Sequence, residues 1–374
     1  MQKLFITNDA YLPGFRFGGP VRSLANLVDW LGDRYEIFIF TKDRDLGDSQ
    51  GYPNIPVNQW VDCGAAKVFY ASPDQHTVAR ARVELAAIQP DVVYLNGLWE
   101  RMTRGLLKAR LPSVRYVIAP RGALGAGALA IKPWKKKLGL LLMRASLQDL
   151  VWHATADSEA AEVRQVIGAK ETVCLASNLL ERRVADAVER LPAMRESGPA
   201  RFVAFSRLSR KKNFDHLLRS LAEVRGAFTL DIIGPEQDAA YTAELKALAG
   251  QLQSDQVVRF LGGKTPAELA VLLPQYDFFA LPTQHENFGH VFVEAWAAGL
   301  PVIISDQTPW RELEAKGIGW DIALSDSDRW VQVLQECVEV EPECIRQLKV
   351  QSAAFAVELA LHQPLEAYGK LFEG

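Results

Sequence analysis

The chain has 374 residues, of which 49% are hydrophobic and 23% are charged. It is too long for one compact core, so its length and composition predict two globular domains. Lys and Arg total 42 against 45 for Asp and Glu, and the net charge of -3 argues against nucleic acid as the main partner. The four scattered cysteines exclude a disulfide scaffold, lack zinc-ligand spacing, and fit a reducing compartment.

No stretch of the sequence has the length and apolarity of a membrane span. The apolar patch at residues 4–7 is too short for the core of a secretory signal. The most apolar window, residues 138–143, follows three lysines, precedes Arg144, and is far below the roughly 20 residues of a membrane span. We therefore expect a cytoplasmic protein that at most lies on the inner face of the membrane.

In chain order, short β-rich runs alternate with amphipathic helical patterns through the first half of the chain. The predicted strands are residues 3–7, 35–41, 67–71, 91–96, 115–120 and 150–156. A helix is predicted over residues 20–33, where apolar residues repeat on one face and Pro20 suits the first turn. Strands that are apolar throughout and separated by helices predict a parallel sheet covered on both faces.

The alternation breaks around residues 180–200, which are expected to form a short helix, a linker and a hinge. It then restarts, with strands predicted at residues 201–207, 228–234, 257–262, 277–283 and 301–306, and no strand signal after Trp320. The predicted fold class is therefore α/β, with two doubly wound parallel-sheet domains. Their predicted bounds are 1–190 and 199–355, followed by a helical segment at 356–374 whose last helix could pack on the first domain. Ligands of such sheets bind at the carboxyl ends of the strands, so a cleft between facing domains is the expected site.

The most informative segment is residues 285–303, which follows a predicted strand. Glu286 is expected in a loop, and a helix is predicted from about Phe288 to Ala298. The free N–H groups at Asn287, Phe288 and Gly289 would then favour an anion.

Glu294 lies two turns along the predicted helix from Glu286 and can face the same site. Two carboxylates there would accept hydrogen bonds from sugar hydroxyls, whereas two negative charges would repel a phosphate. The alternative is that Glu286 is an ordinary loop residue and that Glu294 lies on a solvated helix face. Glu294 is embedded in an apolar run, where a carboxylate is costly without a ligand or partner.

A basic loop is predicted between the first strand and the first helix of the second domain. Arg207 and Lys212 lie just after the strand and just before the helix, where a diphosphate would need cations. Arg210 and Lys211 in the same loop are interpreted as a solvated basic turn.

With this spacing the chain resembles the retaining glycosyltransferases of family 4, whose GT-B architecture has two facing Rossmann-like domains and a deep cleft between them. The resemblance spans essentially the whole chain and is most specific in the second half. Its motif residues are Arg207, Lys212, Glu286, Phe288, Gly289 and Glu294.

The resemblance implies a role for each motif residue. Arg207 and Lys212 would bind the donor's diphosphate. Glu286 would contact the sugar hydroxyls and support the transition state, and Glu294 would bind the ribose. The backbone of residues 287–289 would hold the sugar and phosphate.

The first domain carries a matching glycine loop. Gly18 and Gly19 follow the first strand and precede Pro20 at the start of a helix, where two glycines let the backbone come close to a phosphate. By itself this pattern also fits an ordinary turn. The resemblance implies that this is the glycine loop that lies across the cleft from the donor and takes part in binding it.

Arg121 follows the predicted strand 115–120 and stands where many relatives have a histidine near the reacting centre. It could stabilise the leaving phosphate, bind an anionic acceptor, or be a structural arginine that bonds strand-end carbonyls. The surrounding segments resemble a subgroup involved in bacterial surface-polysaccharide assembly. His153 is expected to be a packed strand residue, and Trp310 could line the cleft or cap a following helix.

Residues 131–150 are basic at their start, contain Trp134, and then become strongly apolar. This pattern is typical of a helix on an anionic membrane surface, where a lipid-linked acceptor would wait. It equally fits a helix packed on the first domain beside a solvated basic turn.

The resulting hypothesis is a retaining hexosyltransferase of polysaccharide biosynthesis. It would move a sugar from a UDP- or GDP-linked donor to a hydroxyl of a glycan or a polyprenyl-diphosphate-linked saccharide. No cofactor or metal is expected, because basic side chains supply the positive charge and no Asp-x-Asp motif stands in a suitable loop. The alternatives are a nucleotide-binding but catalytically silent partner of another transferase, and a sugar-nucleotide epimerase on the same fold.

Overall fold

The computed structural model describes residues 1–182, 184 and 198–373. The predicted short helix, linker and hinge around 180–200 therefore fall largely outside the described residues. The chain divides into two compact units. The first comprises Met1–Leu179 and Gln363–Gly374, and the second comprises Leu180–His362.

The first unit is built on one sheet with helices on both faces. Its strands are β1 (Gln2–Thr7), β2 (Tyr35–Lys42), β3 (Trp60–Cys63), β4 (Ala66–Ala71), β5 (Val92–Asn96), β6 (Arg115–Ala119), β7 (Val151–Ala154) and β8 (Thr172–Leu175). Its helices before the division are α1 (Gly19–Leu31), α2 (Val78–Ile88), α3 (Arg101–Lys108), α4 (Ala126–Ala130), α5 (Pro133–Met143) and α6 (Asp157–Val166).

The strand order is β3-β4-β2-β1-β5-β6-β7-β8, parallel except for the antiparallel pair β3–β4. Consecutive residues of β1 contribute to different cores, with Leu4 and Ile6 on the face of α1 and Phe5 on the opposite face. Both faces are thus buried, which is why the strand is apolar throughout. The predicted parallel sheet covered on both sides is confirmed.

Two strands of this sheet were not predicted. β3 and β8 are only four residues long, lie at the two edges of the sheet, and contain no fully buried residue. Because an edge strand is half solvated, its sequence lacks the continuous apolar run that identified the inner strands.

The second unit has a fully parallel sheet in the order β11-β10-β9-β12-β13-β14. Its strands are β9 (Ala200–Phe205), β10 (Phe228–Ile233), β11 (Gln256–Gly262), β12 (Phe278–Leu281), β13 (Val302–Ser305) and β14 (Gly319–Ile322). Its helices are α7 (Phe214–Ala222), α8 (Ala239–Ala249), α9 (Pro266–Leu272), α10 (His290–Ala297), α11 (Ser327–Glu339) and α12 (Pro342–Leu361). Successive strands are added outward from β9 on one side and outward from β12 on the other. The carboxyl ends of β9 and β12 are therefore the topological switch point of the sheet.

The C-terminal part of the chain differs from the prediction in two ways. The edge strand β14 was missed, since it is short and contains Asp321. The predicted start of a separate segment at residue 356 falls inside α12, which packs on α10 and belongs to the second unit. The chain returns to the first unit at Gln363, and α13 (Leu365–Glu373) packs there against β6 and β8.

Candidate active site

The loop after β9 lies at the switch point of the second sheet and is tied to its neighbours through backbone atoms. The Leu208 N–H donates to Pro235 O at 3.0 Å, after β10. Lys211 O accepts from the N–H of Gln284 at 2.8 Å and from Thr283 Oγ1 at 3.3 Å, after β12. The basic loop is therefore held between the two strands that flank it.

Lys212 and Glu286 form a hydrogen-bonded ion pair between the loops after β9 and β12. Their side chains are only 10% and 20% exposed. Burial favours the neutral acid, but the charge and hydrogen bond of Lys212, helped by Lys211, hold the pKa of Glu286 below its ordinary value. The structure thus brings together two predicted site residues and keeps the carboxylate ionised.

The other cations of the loop differ in their partners. Arg210 donates to Glu244 at 3.0 Å and lies 4.9 Å from the ring centroid of Tyr241, so it is a surface residue as predicted. Among the described residues, neither Arg207 nor the Lys211 side chain has an ion-pair or hydrogen-bond partner. The sequence analysis assigned Lys211 to a solvated turn, but its charge also lowers the pKa of Glu286.

The anion site predicted at residues 287–289 lies before the helix, not in its first turn. Helix α10 begins at His290 rather than Phe288, and Gly289 is its N-cap, with φ 82°. A Cβ at Gly289 would lie 2.3 Å from the Phe292 ring, so the turn requires glycine. The N–H groups of Phe288 and Gly289 make no hydrogen bond with any described residue, which leaves them available to an anion.

Trp310 packs against this loop. Its indole N–H donates to Phe288 O at 2.5 Å, and its ring packs against Phe288 and Trp296 at centroid distances of 5.5 and 5.0 Å. The helix expected directly after Trp310 is not formed, since the next helix is α11. Trp310 therefore positions the 285–289 loop by packing.

Glu294 lies in the middle of α10 and is half-buried, between the buried residues Val293 and Ala295. It is on the same helix that follows the Glu286 loop, as the sequence predicted.

Sequence reasoning missed the turn after β10 at the same edge of the sheet. A Cβ at Gly234 would lie 1.8 Å from Ser206 O, so only glycine allows this strand end to approach the basic loop. The signal in the sequence was a Gly-Pro pair directly after a predicted strand.

In the first unit, the glycine loop lies at the carboxyl end of β1, beside the switch point between β1 and β5. Gly18 is the N-cap of α1, and Gly19 is the first helical residue. The Asp45 carboxylate accepts from the N–H groups of Phe15 at 2.7 Å and Arg16 at 3.0 Å, which anchors the loop.

Arg121 is enclosed in a network of protein oxygens. Its guanidinium donates to Asn96 Oδ1 at 2.9 and 3.1 Å, to Tyr94 OH at 2.9 Å, and to Asn178 Oδ1 at 2.9 Å. This geometry favours the structural alternative, although the partners of Arg121 are side-chain oxygens and not the strand-end carbonyls named in that alternative. Within the described part of the chain no carboxylate forms an ion pair with Arg121.

His153 is fully buried on β7, as predicted. Its Nδ1 lies 2.6 Å from Tyr94 OH and its Nε2 lies 2.7 Å from Ala176 O. Burial and the nearby charge of Arg121 lower the pKa of His153 to about 3, so the ring is neutral at physiological pH.

Residues 131–150 form α5 and a short 3-10 turn, and α5 leaves most of its apolar side chains in solvent. Met143 is its one fully buried residue. Its large exposed side chains are Trp134, Leu138, Leu141 and Leu142, each 47–70% accessible. None of the described helices is long and apolar enough to cross a membrane. Within the described ranges, no group of three or more His, Cys, Asp or Glu residues could hold a metal ion.

Comparison with protein-family models gives two matches, one to each unit. The model "Glycosyl transferase 4-like domain" matches residues 18–179, and the model "Glycosyl transferases group 1" matches residues 192–349. The second match contains the basic loop and the Glu286 segment.

Curated relatives match over part of their length. The GDP-mannose:cellobiosyl-diphosphopolyprenol alpha-mannosyltransferase of Komagataeibacter xylinus is 25% identical over 57% of this chain and 53% of its own length. The lipopolysaccharide core biosynthesis glycosyltransferase LpsD of Rhizobium meliloti is 31% identical over 45% of each chain. The chain thus spans about half the length of these relatives.

Solved structures match over the whole chain and show the fold. Sucrose-phosphate synthase from Thermosynechococcus elongatus is 17% identical, with a TM-score of 0.71 and full coverage of both chains. WaaG, a glycosyltransferase involved in lipopolysaccharide biosynthesis, is 16% identical with a TM-score of 0.69, covering 99% of this chain and 100% of WaaG. Anabaena HepE in complex with UDP and glucose is 17% identical with a TM-score of 0.67, covering 100% of this chain and 99% of HepE.

Proposed function

Since the chain belongs to the group 1 glycosyltransferases of family 4, with the GT-B fold, we propose that it transfers a hexose from a UDP- or GDP-linked donor to an acceptor hydroxyl. The observation that carries this proposal is the Lys212–Glu286 pair at the switch point of the second sheet, with the unpaired Arg207 in the same loop. An ionised carboxylate surrounded by cations can bind a sugar and a diphosphate side by side.

The cations would act on the leaving group. As the bond between the sugar and the diphosphate breaks, negative charge grows on the phosphate oxygens. Arg207, Lys211 and Lys212 would neutralise that charge, and the N–H groups of Phe288 and Gly289 would add hydrogen bonds. Hydrogen bonds to Leu208 N and Lys211 O hold the backbone of the basic loop before the donor arrives, which limits the reorganisation of the loop on binding.

The carboxylates would bind the donor's hydroxyl groups. Glu286, which is ionised and held by Lys212, would accept hydrogen bonds from the sugar and stabilise the positive charge that develops at its anomeric carbon. Glu294 would accept from the ribose hydroxyls. Gly18 and Gly19 of the first unit would approach the donor through backbone alone.

The chemical step would retain the anomeric configuration. The bond from the anomeric carbon to the diphosphate oxygen breaks, a bond to the acceptor oxygen forms on the same face, and the acceptor's proton passes to the departing phosphate. Three side-chain cations in the loop supply the charge that a metal ion would otherwise provide, and we therefore propose a metal-independent reaction.

The acceptor is proposed to be a glycan or a saccharide linked to a polyprenyl diphosphate. The relative from Komagataeibacter acts, by its name, on a cellobiosyl-diphosphopolyprenol. The basic residues and exposed apolar side chains of 131–150 fit a peripheral site on the inner membrane surface, where such an acceptor is found.

A transfer assay tests the proposal directly. The purified chain would be incubated with UDP- and GDP-sugars and a lipid-extract acceptor, in the presence of EDTA, and the glycosylated product analysed by mass spectrometry and anomeric NMR. Sugar transfer with retention supports the proposal. Nucleotide binding without any turnover would identify a catalytically silent partner, and conversion of the donor sugar to its epimer would identify an epimerase.

A further inference from the structure

A cavity of about 720 Å³ lies in the first unit, beside α5 and the end of α6. Its apolar wall includes Leu138 and Leu141 of α5, Leu147 of the following turn, and Val166 and Ile167 at the end of α6. The volume is in the range of sites that enclose most of a small ligand.

The wall on the α5 side is apolar and accessible. Leu138 and Leu141 are 47% and 65% exposed, and Trp134 at the same cavity is 66% exposed. Leaving these apolar side chains in water is unfavourable, so a ligand that covers them with hydrocarbon would be stabilised. Their arrangement around a cavity offers more contact to an extended hydrocarbon chain than a flat helix face would.

The cavity lining carries positive charge. Lys137 and Arg144 line it, and within the described residues neither has an ion-pair partner. The one carboxylate that lines the cavity, Glu171, accepts a hydrogen bond from Trp152 Nε1 at 3.3 Å. Residues 131–148 contain five basic residues and no acidic residue. This charge fits a phosphate or diphosphate group next to Lys137 and Arg144.

We propose that this cavity, which we call the α5 groove, binds the hydrocarbon chain of a prenyl-diphosphate-linked acceptor, with Lys137 and Arg144 on its diphosphate. The inference rests on the proposed function and specifies its acceptor. It differs from membrane contact in general, because the hydrocarbon chain of the acceptor is assigned to the residues that line the cavity and not to every apolar residue of α5.

Calorimetric titration of the full chain tests this inference. The probes are geranylgeranyl diphosphate, isopentenyl diphosphate, which has the same head group and a short chain, and inorganic diphosphate. We expect geranylgeranyl diphosphate to bind at least about tenfold tighter than the other two, since each buried methylene contributes to affinity. Equal affinities for the three probes would overturn the inference.

The chain offers a matched pair of variants on one helix. Leu141 lines the groove, whereas Leu142 is equally exposed and does not line it. Leu141→Asp should weaken geranylgeranyl diphosphate binding about tenfold or more, and Leu142→Asp less than about twofold. Lys137→Gln should weaken binding, whereas Lys135→Gln, outside the groove, should not. Equal losses for Leu141→Asp and Leu142→Asp would mean that α5 contacts lipid only as a surface, and this would contradict the groove.

Two further measurements separate other outcomes. Light scattering of both leucine variants reports whether the groove is a contact between copies of the chain, and loss of an oligomer with Leu141→Asp alone would overturn the inference. Thermal stabilisation by UDP or GDP in the same samples reports on the donor site. Nucleotide binding and transfer without prenyl-diphosphate binding would refute the groove alone, whereas prenyl-diphosphate binding without nucleotide binding or transfer would refute the proposed function alone.

Discussion

The carboxyl edges of the two sheets carry their charged residues in different ways. At the edge of the second sheet, the cations of Arg207 and Lys211 have no partner among the described residues, next to the ion pair of Lys212 with Glu286. At the edge of the first sheet, Arg121 uses Nε and both terminal nitrogens of its guanidinium on side-chain oxygens of the protein.

This difference in hydrogen-bond partners distinguishes cations that are available to a ligand from cations that hold parts of the fold together. A cation whose N–H groups donate no hydrogen bond to the protein keeps them available for a bound anion. A cation whose donors are satisfied by the protein gains little from a ligand, but its removal leaves buried oxygens without a donor. Position at a strand end is therefore not enough to assign a role, and the hydrogen-bond partners decide between the two.

The largest effect is expected for Glu286→Gln. This change keeps the shape of the side chain but removes the charge that is proposed to stabilise the developing positive charge on the sugar. We expect kcat/KM for transfer to fall by about 10²–10³, with nucleotide affinity largely unchanged. The control is Glu236→Gln, an exposed carboxylate in the neighbouring loop that pairs with Lys246 at 3.2 Å. Transfer at the wild-type rate by Glu286→Gln would refute the assignment.

Lys212→Met should reduce both transfer and nucleotide affinity. It removes one cation from the proposed diphosphate site and leaves the Glu286 carboxylate without its partner, so we expect about a 10²-fold loss in kcat/KM and a lower free energy of unfolding. The matched change is Arg210→Met in the same loop. Its exposed pair with Glu244 should contribute less than about 1 kcal/mol. Similar losses for the two variants would show that the pair with Glu286 has no special role.

Arg121→Gln should affect stability more than chemistry. The oxygens of Tyr94, Asn96 and Asn178 would lose their donor, and each unsatisfied buried group costs about 1–3 kcal/mol. Urea denaturation and a transfer assay on the same sample separate the two effects, with Arg82→Gln on α2 as an exposed arginine control. If transfer fell about 10²-fold while the unfolding curve stayed unchanged, Arg121 would belong to the catalytic site.

The smallest expected effect is a pH dependence of stability. The pKa of Glu286 lies below its ordinary value in the folded chain, so the unfolded chain binds the proton more readily. The stabilisation from the ionised pair should be complete above about pH 5 and decline as pH falls through the folded-state pKa. The difference in unfolding free energy between wild type and Glu286→Gln should narrow at low pH. A difference that is constant down to pH 3 would contradict this interpretation.

The sequence predicted most of the fold, because both sheets are covered on both faces and their inner strands are continuous apolar runs. The strands it missed, β3, β8 and β14, are four-residue edge strands in which half-exposed positions interrupt the pattern. It placed the end of the second unit too early, because no local signal marks where a helix stops packing on one unit and the chain crosses to the other.

In the candidate site, spacing located Lys212 and Glu286 but could not show that they pair. Their contact joins residues 74 positions apart, and it depends on the order of β9 and β12 in the sheet. The network around Arg121 was equally hidden, since Tyr94, Asn96 and Asn178 lie on separate segments. The sequence therefore predicted which charged residues lie at strand ends, but it could not predict which side chains pair with each other.

The central claim is that the charged edge of the second sheet binds a nucleoside diphosphate. The most direct test is thermal unfolding with UDP, GDP, ADP and dTDP in EDTA, for wild type, Arg207→Gln and Arg121→Gln. A ligand at 100 times its dissociation constant stabilises by about 2.7 kcal/mol. We predict stabilisation of wild type by one of these nucleotides, loss of most of it in Arg207→Gln, and its retention in Arg121→Gln. Stabilisation by none of the four, or a loss in Arg121→Gln alone, would contradict the claim.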